Sequence, residues 1–151
     1  MANEVPFVAL ACFCENVLQD KDEVVSAIRI VDTYTIPPLP EGVEVPADAV
    51  RGLIMLRGLV ALKAGDVVGQ GTVRLVMQRV NGERAPIGPP DGWPVEMKGG
   101  EHGVNLHLQI PLGVKNFGLL WFDVFWNETL LTRIPLRLRQ GQTAEQANAP
   151  T

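Results

Sequence analysis

The sequence is poor in the side chains on which most catalytic sites are built. It has two cysteines and two histidines, and read residue by residue it holds a single serine, Ser26, and a single tyrosine, Tyr34. It also lacks excess positive charge: 13 Lys and Arg stand against 17 Asp and Glu, for a net charge of −4. A nucleic-acid partner is therefore not expected, because no broad basic field is there to meet a phosphate backbone. Long apolar runs are missing too. Arg57 interrupts "LIMLRGLVAL" and Asp123 interrupts "FGLLWFDVFW", well short of the roughly 18 residues that mark a membrane span. The opening "MANEVPF" carries an acid where a signal peptide carries Lys or Arg. The chain thus reads as cytoplasmic and soluble, with no membrane partner, and two cysteines do not make a secreted disulfide framework.

What is present is a succession of β segments separated by Pro and Gly clusters, with little of helical period. At 151 residues, 46% hydrophobic and 20% charged, the chain has the size and composition of one globular domain. Alternation predicts strands at about 5–14, 24–36, 52–63, 72–80, 93–97, 104–110, 117–126 and 129–139. The clearest pattern puts Val104, Leu106, Leu108 and Ile110 inward and Asn105, His107 and Gln109 outward. "NGE" at 81–83 and "WNET" at 126–129 read as tight turns, since Asn and Gly tolerate positive φ. "AGDVVGQG" reads as a turn or bulge between strands, because it lacks the lysine and following helix of a phosphate loop. Seven or eight such strands predict an all-β, two-sheet antiparallel sandwich of immunoglobulin-like shape, a closed barrel being the alternative. The domain is expected over 1–139, with a flexible tail over 140–151.

Each candidate reactive group has a plain structural explanation. Cys12 and Cys14 fall on one strand face about 7 Å apart at Cα, too far for an undistorted disulfide. A zinc site would need two more ligands, and His102 and His107 are the only imidazoles. The pair therefore reads as buried thiols acting as small apolar groups. The acidic stretch "ENVLQDKDE" lacks the glycine and spacing of a calcium loop. Ser26 is expected on an inward face, without a nucleophile-elbow context. No metal site, cofactor or catalytic residue is predicted.

The segment "GLLWFDVFWN" is different, because both of its alternating faces are apolar. The set Leu120, Phe122, Val124 and Trp126 is the better core face, which leaves Trp121, Asp123 and Phe125 outward. Beside them should run Arg133, Arg137 and Arg139 of the last strand. An outward face with Trp, Phe and Arg is either covered within the molecule or a place where binding energy concentrates. These six residues are the candidate partner-binding set, for another protein or for a second copy of the chain.

"ALACFCENVLQDKDEVVSAIRIVDTYTIP" together with "IPLGVKNFGLLWFDVFWNETLLTRIPLRL" resembles a group of small uncharacterised bacterial β-sandwich proteins. In these an opening strand ends in a Cys-containing turn, and a late P-x-G-x-x-x-F-x-L-x-W-F-D-V-x-W stretch leads into the final strand. The resemblance spans about 7–138 and implies the sandwich fold. It implies no activity, so it transfers no active-site residue. The expectation is a non-enzymatic interaction or structural module. The alternative is a small-ligand module with a pocket at the loop end near Trp93, His102 and the 36–50 connection, and a Cys/His hydrolase or metal enzyme comes last.

Overall fold

The computed structural model describes residues 4–46 and 49–142. Eight strands occur there: β1 (Phe7–Gln19), β2 (Val25–Val31), β3 (Thr33–Ile36), β4 (Gly52–Gln78), β5 (Arg84–Ile87), β6 (Trp93–Val114), β7 (Gly118–Trp126) and β8 (Thr129–Gln140). There is no helix among the described residues. Hydrogen bonding runs β2-β1-β4-β7-β8-β3, and β6 and β5 lie along the other side of β4. Every pair is antiparallel except β3 with β8, which is parallel.

Two strands are long enough to belong to both layers. The first half of β4 lies between β1 and the second half of β6. Its last residues, Val73 to Gln78, pair with β7 on one side and with β5 and Trp93 on the other. The bend falls where Gly65 faces Gly100 in register, flanked by irregularities that follow Lys63 and Gly65. Positive φ at both glycines, 60° and 65°, is a conformation that a side chain would penalise. The layers then close face to face, and the rings of Phe13 on β1 and Phe122 on β7 meet edge-on at 4.7 Å between centroids. Both rings are fully buried, and each contributes about 1.5–3 kcal/mol by leaving water. The result is the expected all-β sandwich of two packed layers.

The ends of the hydrogen-bonded path meet through the backbone. β2 and β3 sit at opposite ends of that path, yet only Asp32 separates them in sequence. The Asp32 carbonyl accepts the Arg137 N–H at 2.9 Å, which starts the parallel pairing of Thr33–Ile36 with Arg137–Gln140. Pro135 precedes that stretch, so its missing N–H faces no partner from β3.

Several expected boundaries move. The segments 52–63 and 72–80 are one strand of 27 residues, and 93–97 and 104–110 are one strand of 22. Of the turn or bulge expected at "AGDVVGQG", the structure shows the bulge: the register shifts after Lys63 and Gly65, and two paired strands bend together there. β1 continues to Gln19, so the acidic turn shrinks to the residues between Asp20 and Val24. The segment 24–36 is two strands that join different layers. In β2, Ser26 is exposed rather than inward and Ile30 is 63% exposed, because Val31 pairs with Phe13 and so faces the core, while Tyr34 of β3 packs against the core. Arg29 takes φ 53°, which turns its side chain out of the pleat toward Glu15 at 3.3 Å. Of the expected tail, Gln140 closes β8 and the Gly141 N–H donates to the Ile36 carbonyl. The expectation for 143–151 lies outside the described residues.

Candidate functional site

The outward face of the second layer is built on β7. Leu120, Phe122, Val124 and Trp126 are all buried in the core, as their alternation predicts. Trp121, Asp123 and Phe125 consequently point the other way, and register places Arg133 directly opposite Asp123. The β7–β8 turn helps fix this register. Asn127 adopts φ 50°, which suits a tight hairpin, and its Oδ1 accepts the Thr72 N–H at 2.9 Å while its own N–H donates to the Thr72 carbonyl.

Asp123 is the one buried acidic residue among the described residues, only 3% exposed. A carboxylate is held there only when its charge is matched. Arg133 Nε donates to Oδ1 at 2.7 Å, and an Arg84 terminal nitrogen donates to Oδ2 at 3.0 Å. Arg133 also donates to Gln78 Oε1 at 3.1 Å, and its guanidinium lies 4.7 Å from the centre of the Trp121 ring. One side chain therefore makes two charge-assisted hydrogen bonds and a cation–π contact. Arg74 repeats the pattern one pair along, 5.3 Å over Phe125, while donating to the Asn127 carbonyl.

The structure thus joins Trp121, Asp123, Phe125 and Arg133 into one cluster. Arg137 and Arg139 are not part of it. They stand exposed further along β8, beside Thr33 and Thr35 of β3. Asp123 departs from an ordinary exposed cross-strand pair, since two guanidiniums bracket it. Sequence reading missed Arg74, Arg84 and Gln78. Arg84 reaches the cluster because the β4–β5 hairpin sets it opposite Gln78, and the "NGE" turn is the one signal that points to that pairing. Leu130, on the same alternation as the buried Ile134, Leu136 and Leu138, is 47% exposed: an irregularity after Val124 sets it opposite Phe125.

The groups considered for chemistry are arranged otherwise. Cys12 and Cys14 are free and buried, and burial pushes both thiols up, away from the thiolate that a nucleophile or metal ligand needs. His102 is exposed, 3.9 Å from the Glu101 carboxylate, and His107 is exposed on β6 opposite Leu59. Among the described residues no three His, Cys, Asp or Glu gather where they could hold a metal ion. Trp93 packs over Gly88. A loop-end cleft lies between Arg51, Val80, Lys115 and Phe117.

Neither a family model nor a curated protein matches the chain. Among solved structures, it is similar to an immunoglobulin-like protein from Pseudomonas aeruginosa, with 12% identity, a TM-score of 0.40, and coverage of 91% of this chain and 100% of that one.

Proposed function

We propose that the protein is a non-enzymatic interaction module that uses the outer face of its second layer to bind an acidic segment of a partner protein. The observation that carries this reading is the charge of that face. Arg74, Arg84, Arg133, Arg137 and Arg139 gather there on a chain whose net charge is −4. The acid at its centre, Asp123, is buried and already engaged by two of the five. Hydrogen bonds and ring contacts hold Arg74 and Arg133 in place, so little side-chain freedom is lost when a partner arrives. Trp and Arg side by side are also the residue types in which binding energy concentrates.

A labelled oligoglutamate peptide tests this by fluorescence anisotropy at low and high salt. The expected result is salt-sensitive binding that Arg137→Glu with Arg139→Glu weakens by at least about tenfold, in line with charge pairs at such rims. Both positions are exposed, so the melting temperature should hold, and Lys63→Glu, on the first layer, should leave binding unchanged. Equal loss with Lys63→Glu, or no binding by the wild type, overturns the reading. Sedimentation of the protein alone belongs to the same test. A dimer dispersed by the arginine substitutions would replace the acidic partner with a second copy.

A further inference from the structure

One end of the sandwich carries a cleft that the arginine face does not explain. The start of β4, the β4–β5 turn and the β6–β7 turn meet there around an open space of about 500 Å³ lined by Arg51, Val80, Asn81, Lys115, Asn116 and Phe117. A smaller hollow of about 20 Å³ adjoins it, sharing Val80, Lys115 and Asn116. That hollow has room for about one water-sized group, and its floor is core: Met77, Leu112, Leu120 and Leu138 are all nearly fully buried. The cleft therefore has a polar mouth and an apolar base.

Charge at the mouth has one sign. Arg51, Lys115 and, from the smaller hollow, Arg79 are cationic, and none of the described lining residues is acidic. Asn81 Oδ1 already accepts the Glu83 N–H at 3.0 Å, which leaves its amide NH₂ to donate. Arg51 is the most telling. Its backbone N–H is tied to the Val114 carbonyl at 2.6 Å, and its guanidinium lies 5.9 Å from the centre of the Phe117 ring. Its Nε is buried and meets no acceptor among the described residues. A buried charged donor without an acceptor is costly. An anion in the cleft relieves that cost, and an apolar body attached to it covers Phe117, Val80 and the floor.

We infer that this cleft binds a small organic carboxylate, its oxygens on Arg51 and Lys115 and its apolar part against Phe117 and Val80. Backbone geometry keeps the space open. Gly118 has φ 136°, and Val80 lies 3.1 Å from where a Cβ at that glycine would stand. A side chain there would be strained and would crowd Val80, which lines the cleft.

The test is titration of the isotope-labelled 151-residue chain with hexanoate and benzoate, followed by amide NMR shifts. Hexanol, acetate and inorganic phosphate are the comparison probes. The carboxylates with apolar bodies should give saturable shifts at Asn81, Asn116 and Phe117, and the three comparison probes should not. Arg51→Met should weaken binding about 10- to 100-fold, the range for one hydrogen bond to a charged group. Arg51→Lys keeps the charge but removes the Nε donor and should also weaken it. If either variant loses its fold, Lys115→Gln carries the comparison. An equal response to hexanol or to phosphate overturns the inference, as does unchanged binding in the Arg51 variants. So does a wild type that gives no saturable shift with either hexanoate or benzoate.

Discussion

Replacing Asp123 with Asn keeps the size of the side chain and removes its charge. Two charge-assisted hydrogen bonds, to Arg133 Nε and to Arg84, lose their anionic acceptor. A hydrogen bond to a charged group contributes about 1.5–3 kcal/mol when sheltered. Here the arginine side chains are 51% and 40% exposed, so water competes for them, and about 1 kcal/mol each is the better figure. Asp123→Asn should therefore cost about 2 kcal/mol. The opposite perturbation is worse. Arg84→Met with Arg133→Met strands a carboxylate whose side chain is only 4% exposed, and an uncompensated buried charge costs about 3–5 kcal/mol. Urea denaturation measures both. With a slope of about 2 kcal/mol per molar for a domain of this size, Asp123→Asn lowers the midpoint by about 1 M and the double arginine variant by about 2 M. The order decides the matter: if losing the carboxylate costs more than losing both arginines, or if both changes fall below about 0.5 kcal/mol, the cluster does not anchor this face.

Alkaline pH should destabilise the fold. Burial holds Cys12, Cys14 and Tyr34 above their ordinary values in the folded chain. The unfolded chain then loses these protons first, and stability present at neutral pH falls as pH rises past about 8.5. Chemical denaturation across that range should show a decline that Cys12→Ala with Cys14→Ala reduces, and a flat profile contradicts the assignment. Gly71→Ala should cost about 1–3 kcal/mol by overpacking, because the new methyl would land on the Trp126 ring. Trp126→Phe should lose part of its own cost in that background, and simple additivity in thermal melts would show that the two do not touch.

The sequence is most legible where polar and apolar residues alternate strictly. Val73, Leu75 and Met77, then Leu108 and Ile110, then the even positions of β7 all face the core. It misleads where both alternations are apolar: over 24–31, Val24, Ile28 and Ile30 look as suited to the core as Val25, Ala27 and Val31. Only the register with Phe13 decides between them. Glycine misleads for another reason. Gly65, Gly69, Gly99 and Gly100 all take positive φ, but the sequence does not say whether such residues reverse a chain or bend two paired strands together. In the arginine face, Arg133 is legible as the neighbour of Asp123 because one hairpin joins them. Arg84 is not, since its reach depends on a second hairpin packed alongside. The cleft depends on three separate segments meeting and has no local signature at all.

The Asp32 junction sets an order of events during synthesis. The β1–β2 hairpin can pair as soon as Val31 has been made, but Thr33 has no strand to join until Arg137 exists. At about 5–20 residues per second, the intervening hundred or so residues take roughly 5–20 s to appear. Until then β3 is unpaired and the edge of β7 that β8 covers is incomplete, so both are available to other chains. The final strand is thus the clasp of the molecule, and a ribosome that stalls before residue 137 releases a sandwich that cannot shut.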